Sequence, residues 1–146
     1  MYSILLRKYY ISTPTMMMSR RILDELGGYD EALSYEDFDF WVRSARDYQY
    51  RFTDAVLVNK YVEKSLSTQQ YLHRNRHTLS AAIVCEKALA LNKSPEDDKA
   101  LWKRVSYELK WAMITENWEA ATRFLAIRHK LKPSLQIRLL RNSCFG

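Results

Sequence analysis

The sequence predicts a helix-rich chain of the α/β or α+β class, with a few strands in residues 1–69 followed by an all-helical extension over residues 70–146. Three observations support this prediction. The 146-residue chain has only three glycines and three prolines, which favours helices over a turn-rich all-β fold. Residues 50–53 and 56–62 alternate in polarity and are rich in β-branched and aromatic side chains, as strands are. Beyond residue 70, apolar residues recur at helical spacing.

The first elements are expected to be a short strand and a short helix. Pro14 interrupts any helix that begins earlier in the chain. The apolar run Thr15–Met18, which lies between polar residues, predicts a short buried strand. Ser19 then offers an N-cap for a helix over Arg20–Leu26.

A diglycine pair and a second helix follow. Gly27 and Gly28 predict a helix stop and a tight turn. Ser34 is a suitable N-cap, and Asp37 three residues later nearly completes a capping box. Glu36 and Asp37 should therefore lie in the first turn of the new helix. Its apolar face is predicted to consist of residues at helical spacing, namely Phe38, Trp41, Val42 and Ala45.

Residues 26–43 resemble the acceptor-side segment of family 2 glycosyltransferases, the inverting transferases of GT-A type. That family has a Gly-Gly-aromatic-Asp-Glu turn, then Glu-Asp at the start of a helix that continues Asp-aromatic/Leu-Trp-x-Arg. The matching positions here are Gly27, Gly28, Tyr29, Asp30, Glu31, Glu36, Asp37, Asp39, Trp41 and Arg43. The resemblance extends over residues 4 to about 67 and implies a partial GT-A half with few strands in residues 1–69.

The resemblance implies transfer of a sugar, with inversion, from a nucleotide-sugar donor to a hydroxyl of a glycan or lipid-linked acceptor. Such a transfer needs a carboxylate that accepts the hydroxyl proton. The resemblance assigns this role to Asp37, where the helix N-terminus favours negative charge, and Glu36 would orient the acceptor or accept a second hydrogen bond. The acceptor-binding residues that it implies are Tyr29, Tyr35, Asp39, Trp41 and Arg43. Trp41 also lies on the apolar face, and Asp39 with Arg43 is better interpreted as a surface ion pair.

The chain is therefore interpreted as a fragment of a larger glycosyltransferase, here called the parent enzyme. The parent enzyme is expected to use Mg²⁺ or Mn²⁺ to stabilise the departing nucleoside diphosphate. The family places this metal on a nucleotide-binding half that ends in an Asp-x-Asp motif, and the sequence contains no such half. Asp37-Phe38-Asp39 has that form but is predicted to lie on a helix, so we expect no metal ligands in this chain. In some relatives a histidine before a Ser-x-Ser motif contacts the metal or the diphosphate, whereas Val62 and Glu63 stand before Ser65 here. The chain alone is expected to be inactive.

The extension is predicted to contain three or four packed antiparallel helices. Ser94, followed by Pro95 and three acidic residues, is a strong helix start. Asn117 is predicted to begin a further helix that ends at Pro133, with a last short helix over Ser134–Leu140.

Composition limits the partners that we expect. The net charge of +6 permits contact with nucleic acid or an anionic membrane, but 23 basic residues are interleaved with 17 acidic ones. The chain lacks a recognisable RNA-binding motif, so we expect no nucleic-acid partner. Cys85 and Cys144 form no metal-binding or redox motif. Without an apolar run of about 20 residues or a signal peptide, a cytoplasmic protein is expected.

A second hypothesis belongs to a different functional class. The helical extension would then be a non-catalytic module that docks a protein or a membrane. Its basic residues are most simply solvated, although they could support peripheral contact at the inner face of the membrane. The extension could also mediate oligomerisation.

Overall fold

The computed structural model describes residues 1–8, 11–59, 61 and 76–143. Within these ranges the chain forms six α-helices and one 3₁₀ turn, Thr13–Thr15. The helices are α1 (Tyr2–Arg7), α2 (Arg20–Leu26), α3 (Glu36–Asp47), α4 (Arg76–Leu91), α5 (Pro95–Ile114) and α6 (Trp118–Ser143). None of the described helices combines the length and apolar character required to cross a lipid bilayer.

The predicted α/β or α+β class is wrong, because the described residues form helices and contain no strand or sheet. The strands predicted over residues 50–53 and 56–62 are not formed by residues 50–59 and 61, which have no regular secondary structure, while residues 60 and 62 lie outside the described residues. Phe52, Val56 and Tyr61 are 90%, 91% and 94% exposed. An alternating sequence gives a segment the capacity to pair, but a strand also requires a neighbouring strand and a surface that covers its apolar face. The described residues supply neither, so the partial GT-A half is not formed.

The predicted strand over Thr15–Met18 is also wrong. Thr15 ends the 3₁₀ turn, in which its hydroxyl donates to the carbonyl oxygen of Ser12 at 2.6 Å. Pro14 fits this turn because its missing N–H is not needed near the start of a helix. Met17 is 96% exposed, so the methionines do not form a buried strand.

One buried cluster joins the helices. Its largest members come from α1, α3, α5 and α6 and include Leu5, Phe38, Trp41, Leu101 and Phe124. α4 contributes smaller residues, among them Ala82, Val84 and Ala88. Helices from both sides of the predicted domain boundary therefore share this cluster, while the boundary itself at residues 69 and 70 lies outside the described part of the chain.

The α5–α6 hairpin begins where the sequence predicts and ends later. The Ser94 hydroxyl accepts a hydrogen bond from the Asp97 amide at 3.2 Å, which confirms the predicted cap of α5. Asn117 directly precedes α6, and its side chain accepts from the Ala120 amide. The predicted stop at Pro133 and the separate last helix are wrong, because α6 continues to Ser143. A proline inside a helix removes one main-chain hydrogen bond, which need not end the helix.

Asp97 ties α1, α3 and α5 together. It is buried, and its carboxylate accepts from the Ser3 hydroxyl at 2.7 Å, from Arg46 Nη1 at 2.9 Å and from the Lys93 amide at 3.1 Å. Burial opposes ionisation, but these hydrogen bonds outweigh it and lower the pKa of Asp97 to about 2. The guanidinium of Arg46 also lies over the ring of Tyr2, 4.2 Å from its centroid. These contacts fix α1 against the C-terminal end of α3.

Candidate functional site

The predicted site lies where the turn after α2 meets the start of α3. Gly27 and Gly28 have φ angles of 71° and 72°, in the left-handed region that glycine adopts most readily. The Gly28 amide donates to the Leu23 carbonyl at 2.8 Å, and the Gly27 amide donates to Asp24. The predicted helix stop at the diglycine pair is therefore confirmed.

Arg43 holds this turn against α3. Its Nη1 donates to the Leu26 carbonyl at 2.7 Å, and its Nη2 donates to the Gly28 carbonyl at 2.8 Å. Its Nε donates to Asp39 Oδ2 at 2.8 Å. The planar guanidinium therefore satisfies two carbonyls at the end of α2 and one carboxylate with a single rigid group. The position that the resemblance assigns to acceptor binding here fixes the turn.

Asp39 is buried between two cations. Its Oδ2 pairs with Arg43, and its Oδ1 lies 2.9 Å from Lys87 Nζ of α4, while its side chain is only 1% exposed. The expected surface pair is thus a buried one, and the interpretation as a solvated pair is wrong. A buried carboxylate requires such pairing because removal from water is costly.

Lys87 extends this network to the turn itself, because its Nζ also lies 2.7 Å from Asp30 Oδ2. Burial lowers the pKa of Lys87, but hydrogen bonds with Asp30 and Asp39 outweigh it and raise the pKa above its ordinary value. The hydrogen bond from Lys87 lowers the pKa of Asp30. Lys87 could not be identified from the sequence, since its partners lie 57 and 48 residues away and no local pattern marks them.

Asp37 lies in the first turn of α3, as predicted, but the predicted cap is wrong. Tyr35 directly precedes α3, and the Ser34 hydroxyl instead lies 3.1 Å from the Ser80 hydroxyl of α4. Asp37 is half-buried, and its Oδ2 accepts from the Thr13 hydroxyl at 2.8 Å. Its Oδ1 accepts from the Phe38 amide at 2.7 Å. The carboxylate is therefore oriented by one hydroxyl and one main-chain donor at the protein surface.

Glu36 and Tyr29 are two further residues of the predicted site. Glu36 is exposed in the first turn of α3. The half-buried ring of Tyr29 lies 4.9 Å from that of Phe40. Burial raises the pKa of Tyr29, and the negative charges of Asp37 and Glu36 raise it further.

The two remaining predicted aromatic residues are directed into the protein. Trp41 is 1% exposed and belongs to the core, as the apolar face predicts, so neither face of its ring is available to a sugar. Tyr35 is half-buried, with its ring 5.4 Å from that of Phe38 and 5.9 Å from that of His77. Burial raises the pKa of Tyr35, against the opposing influence of Arg104.

The residues of the Asp37-Phe38-Asp39 sequence do not fit a metal ion. Asp39 is neutralised by Arg43 and Lys87, and Phe38 is buried. More broadly, the described part of the chain contains no group of three or more His, Cys, Asp or Glu side chains arranged to hold a metal.

Comparisons with known proteins found no matching family model, no matching curated protein and no matching solved structure.

Proposed function

We propose that this chain is the acceptor-side part of an inverting glycosyltransferase, in which Asp37 is the base that accepts the proton of the acceptor hydroxyl. The observation that carries the proposal is that residues 27–43 contain both a buried ion pair that fixes the turn and a carboxylate at the surface. Arg43 and Asp39 fix the diglycine turn to α3, whereas Asp37, one helical position before the buried face, remains at the surface. A base requires such a combination of a rigid support and an accessible carboxylate.

The proposed reaction is a single displacement. The acceptor oxygen forms a bond to the anomeric carbon while its proton passes to the Asp37 carboxylate. The bond between the anomeric carbon and the nucleoside diphosphate breaks, and the diphosphate leaves with the electron pair. One displacement inverts the anomeric centre. The hydroxyl of Thr13 and the amide of Phe38 orient the carboxylate, and Glu36 accepts a hydrogen bond from a second acceptor hydroxyl.

The nucleotide-sugar and its divalent cation would be held by a separate nucleotide-binding half. Five exposed apolar residues are the candidates for contact with that half. They are the strongly exposed residues Met17, Phe52, Val56, Leu57 and Tyr61. We propose that these residues contact the nucleotide-binding half and that the chain alone does not transfer sugar.

Isothermal titration of the chain with UDP-sugars and Mn²⁺ tests whether donor binding belongs to a separate half. We expect no measurable heat of binding from the chain alone. Micromolar affinity for a UDP-sugar would contradict the assignment of donor binding to a separate half. The role of Asp37 as the base is tested separately, by the transfer rate of the parent enzyme after Asp37 is replaced.

A helical interaction module is the second candidate, and a specific surface favours it. The end of the α5–α6 hairpin carries Met113, Ile114 and Trp118, which are 55%, 55% and 59% exposed. If this surface mediates self-association, sedimentation velocity will show a mass that rises with concentration. Trp118→Arg would abolish that rise, whereas Tyr107→Arg on the same hairpin is the matched control. A concentration-independent monomer mass would exclude oligomerisation through this surface.

A further inference from the structure

A groove between α1 and the first turns of α5 is lined by three positively charged side chains. Its volume is about 250 Å³. Arg7 projects from the last turn of α1, and Lys99 and Lys103 lie one helical turn apart on α5. Ser3, Ile4, Glu96 and Ala100 complete the lining. Three cations therefore converge on one concave surface that contains a single carboxylate.

The three cations contrast with the basic residues that pair with buried carboxylates elsewhere in the described ranges. Arg43, Arg46 and Lys87 each form ion pairs with buried carboxylates. Across the described ranges, the side chains of Arg7, Lys99 and Lys103 form no ion pair or hydrogen bond. The nearby carboxylate of Asp97 is already paired with Arg46, so it does not neutralise the groove. An anionic ligand would provide the missing counter-charge.

The groove is rigid beneath its flexible side chains. Leu5 and Leu6 of α1 are fully buried, and so is Leu101 of α5. The Ser3 hydroxyl donates to Asp97 at 2.7 Å, which holds α1 against the start of α5. The Cα positions from which the three cations extend are thereby fixed relative to one another, which reduces the cost of ordering them around a ligand.

We propose that this groove binds the phosphate or diphosphate group of a ligand. Arg7 can contact two phosphate oxygens with its planar guanidinium, while Lys99 and Lys103 supply compact charges from α5. Glu96, the carboxylate in the lining, offsets part of this positive charge. The Ser3 hydroxyl is engaged by Asp97 and is not assigned to the ligand. The site involves neither Asp37 nor any other residue of the proposed acceptor site, so this proposal does not depend on sugar transfer.

Titration with inorganic pyrophosphate, followed by amide NMR, tests the site. Pyrophosphate should shift the amide resonances of Arg7, Lys99 and Lys103 at concentrations that leave the α6 amides unchanged. Lys103→Gln should raise the Kd by roughly fivefold or more, the factor expected for one partly exposed charge contact. Lys110→Gln is the matched control on the same helix, and it should leave the Kd unchanged. Both substituted positions are exposed, and a helical circular dichroism spectrum will verify the fold of each variant.

Co-sedimentation with vesicles identifies the source of the phosphate. Phosphatidylcholine vesicles with and without phosphatidic acid are the probes. Binding that requires phosphatidic acid and Lys103 supports a lipid headgroup, while pyrophosphate binding without vesicle binding supports a soluble phosphate compound. The proposal is overturned if pyrophosphate shifts none of the groove amides, or if Lys110→Gln weakens binding as much as Lys103→Gln does.

Discussion

Lys87 Nζ of α4 lies 2.9 Å from Asp39 Oδ1 of α3, and this ion pair joins two helices through residues 48 positions apart. Arg43 pairs with the other oxygen of the same carboxylate, Asp39 Oδ2. Because Arg43 also holds the diglycine turn, the geometry around Asp37 depends on a pair of cations that share one buried acid.

Loss of the buried acid should destabilise the protein more than loss of either cation. Asp39→Asn leaves two cations facing a neutral group, and we expect a loss of about 3 kcal/mol in the free energy of unfolding. Lys87→Met should cost about 2 kcal/mol, since Arg43 continues to pair with Asp39. Urea denaturation measures both. Arg20→Met is the control, because its pair with Asp24 is 85% and 61% exposed and should contribute less than about 0.5 kcal/mol. Equal losses in all three variants would show that burial of Asp39 has no energetic role.

The diglycine turn should tolerate asparagine better than a branched residue. At Gly27 the φ angle is +71°, and a Cβ would meet no atom within 4 Å, so only backbone strain opposes substitution. Gly27→Ala should cost about 1 kcal/mol, Gly27→Asn less and Gly27→Val more, because asparagine adopts the left-handed region more readily. Thermal or urea unfolding gives this order. A Val variant as stable as the Asn variant would contradict the left-handed geometry.

Asp97 should make stability depend on pH in the acidic range. Its pKa in the folded protein is lowered to about 2 from the ordinary 3.8, so its stabilising contribution is complete above about pH 4 and is lost as pH falls towards about 2. The pKa difference corresponds to about 2 kcal/mol. Urea denaturation at a series of pH values measures this dependence. Asp97→Asn should be less stable at neutral pH by a similar amount and should show a shallower loss on acidification. An unchanged pH profile would exclude the carboxylate as its source.

Cys85 should resist thiol reagents until the protein unfolds. It is fully buried in α4, and burial raises the pKa of its thiol to about 12, so both access and thiolate formation are opposed. In a Cys144→Ser variant, which retains only this thiol, reaction with a disulfide reagent should be at least ~100-fold slower than in denaturant. Rapid labelling under native conditions would show that α4 is not packed as described.

Local features of the fold could be predicted from the sequence, whereas features that depend on distant residues could not. Gly27, Ser94 and Asn117 were placed correctly because a helix end is determined by a few neighbouring residues. The strands predicted around Phe52 were wrong, because pairing depends on a second segment that the described residues do not provide. The spacing predicts Ser34 as a cap, but its hydroxyl instead contacts the Ser80 hydroxyl across the fold.

The same distinction between local and long-range features applies to the candidate site. The position of Asp37 at the start of a helix followed from spacing alone. The burial of Asp39 and the contribution of Lys87 did not, because an ion pair between α3 and α4 leaves no local pattern in the sequence. Among the predicted residues, those whose environment depends on long-range packing were the ones whose roles could not be anticipated.

The most direct test of the proposed function is the transfer rate of an Asp37→Asn variant of the parent enzyme, measured together with its affinity for the nucleotide-sugar donor. We expect transfer to fall by at least ~100-fold while donor affinity is retained, because the amide cannot accept the acceptor proton. Asp47→Asn, at the exposed end of the same helix, is the control and should transfer at the normal rate. A normal rate for Asp37→Asn would contradict the assignment of Asp37 as the base.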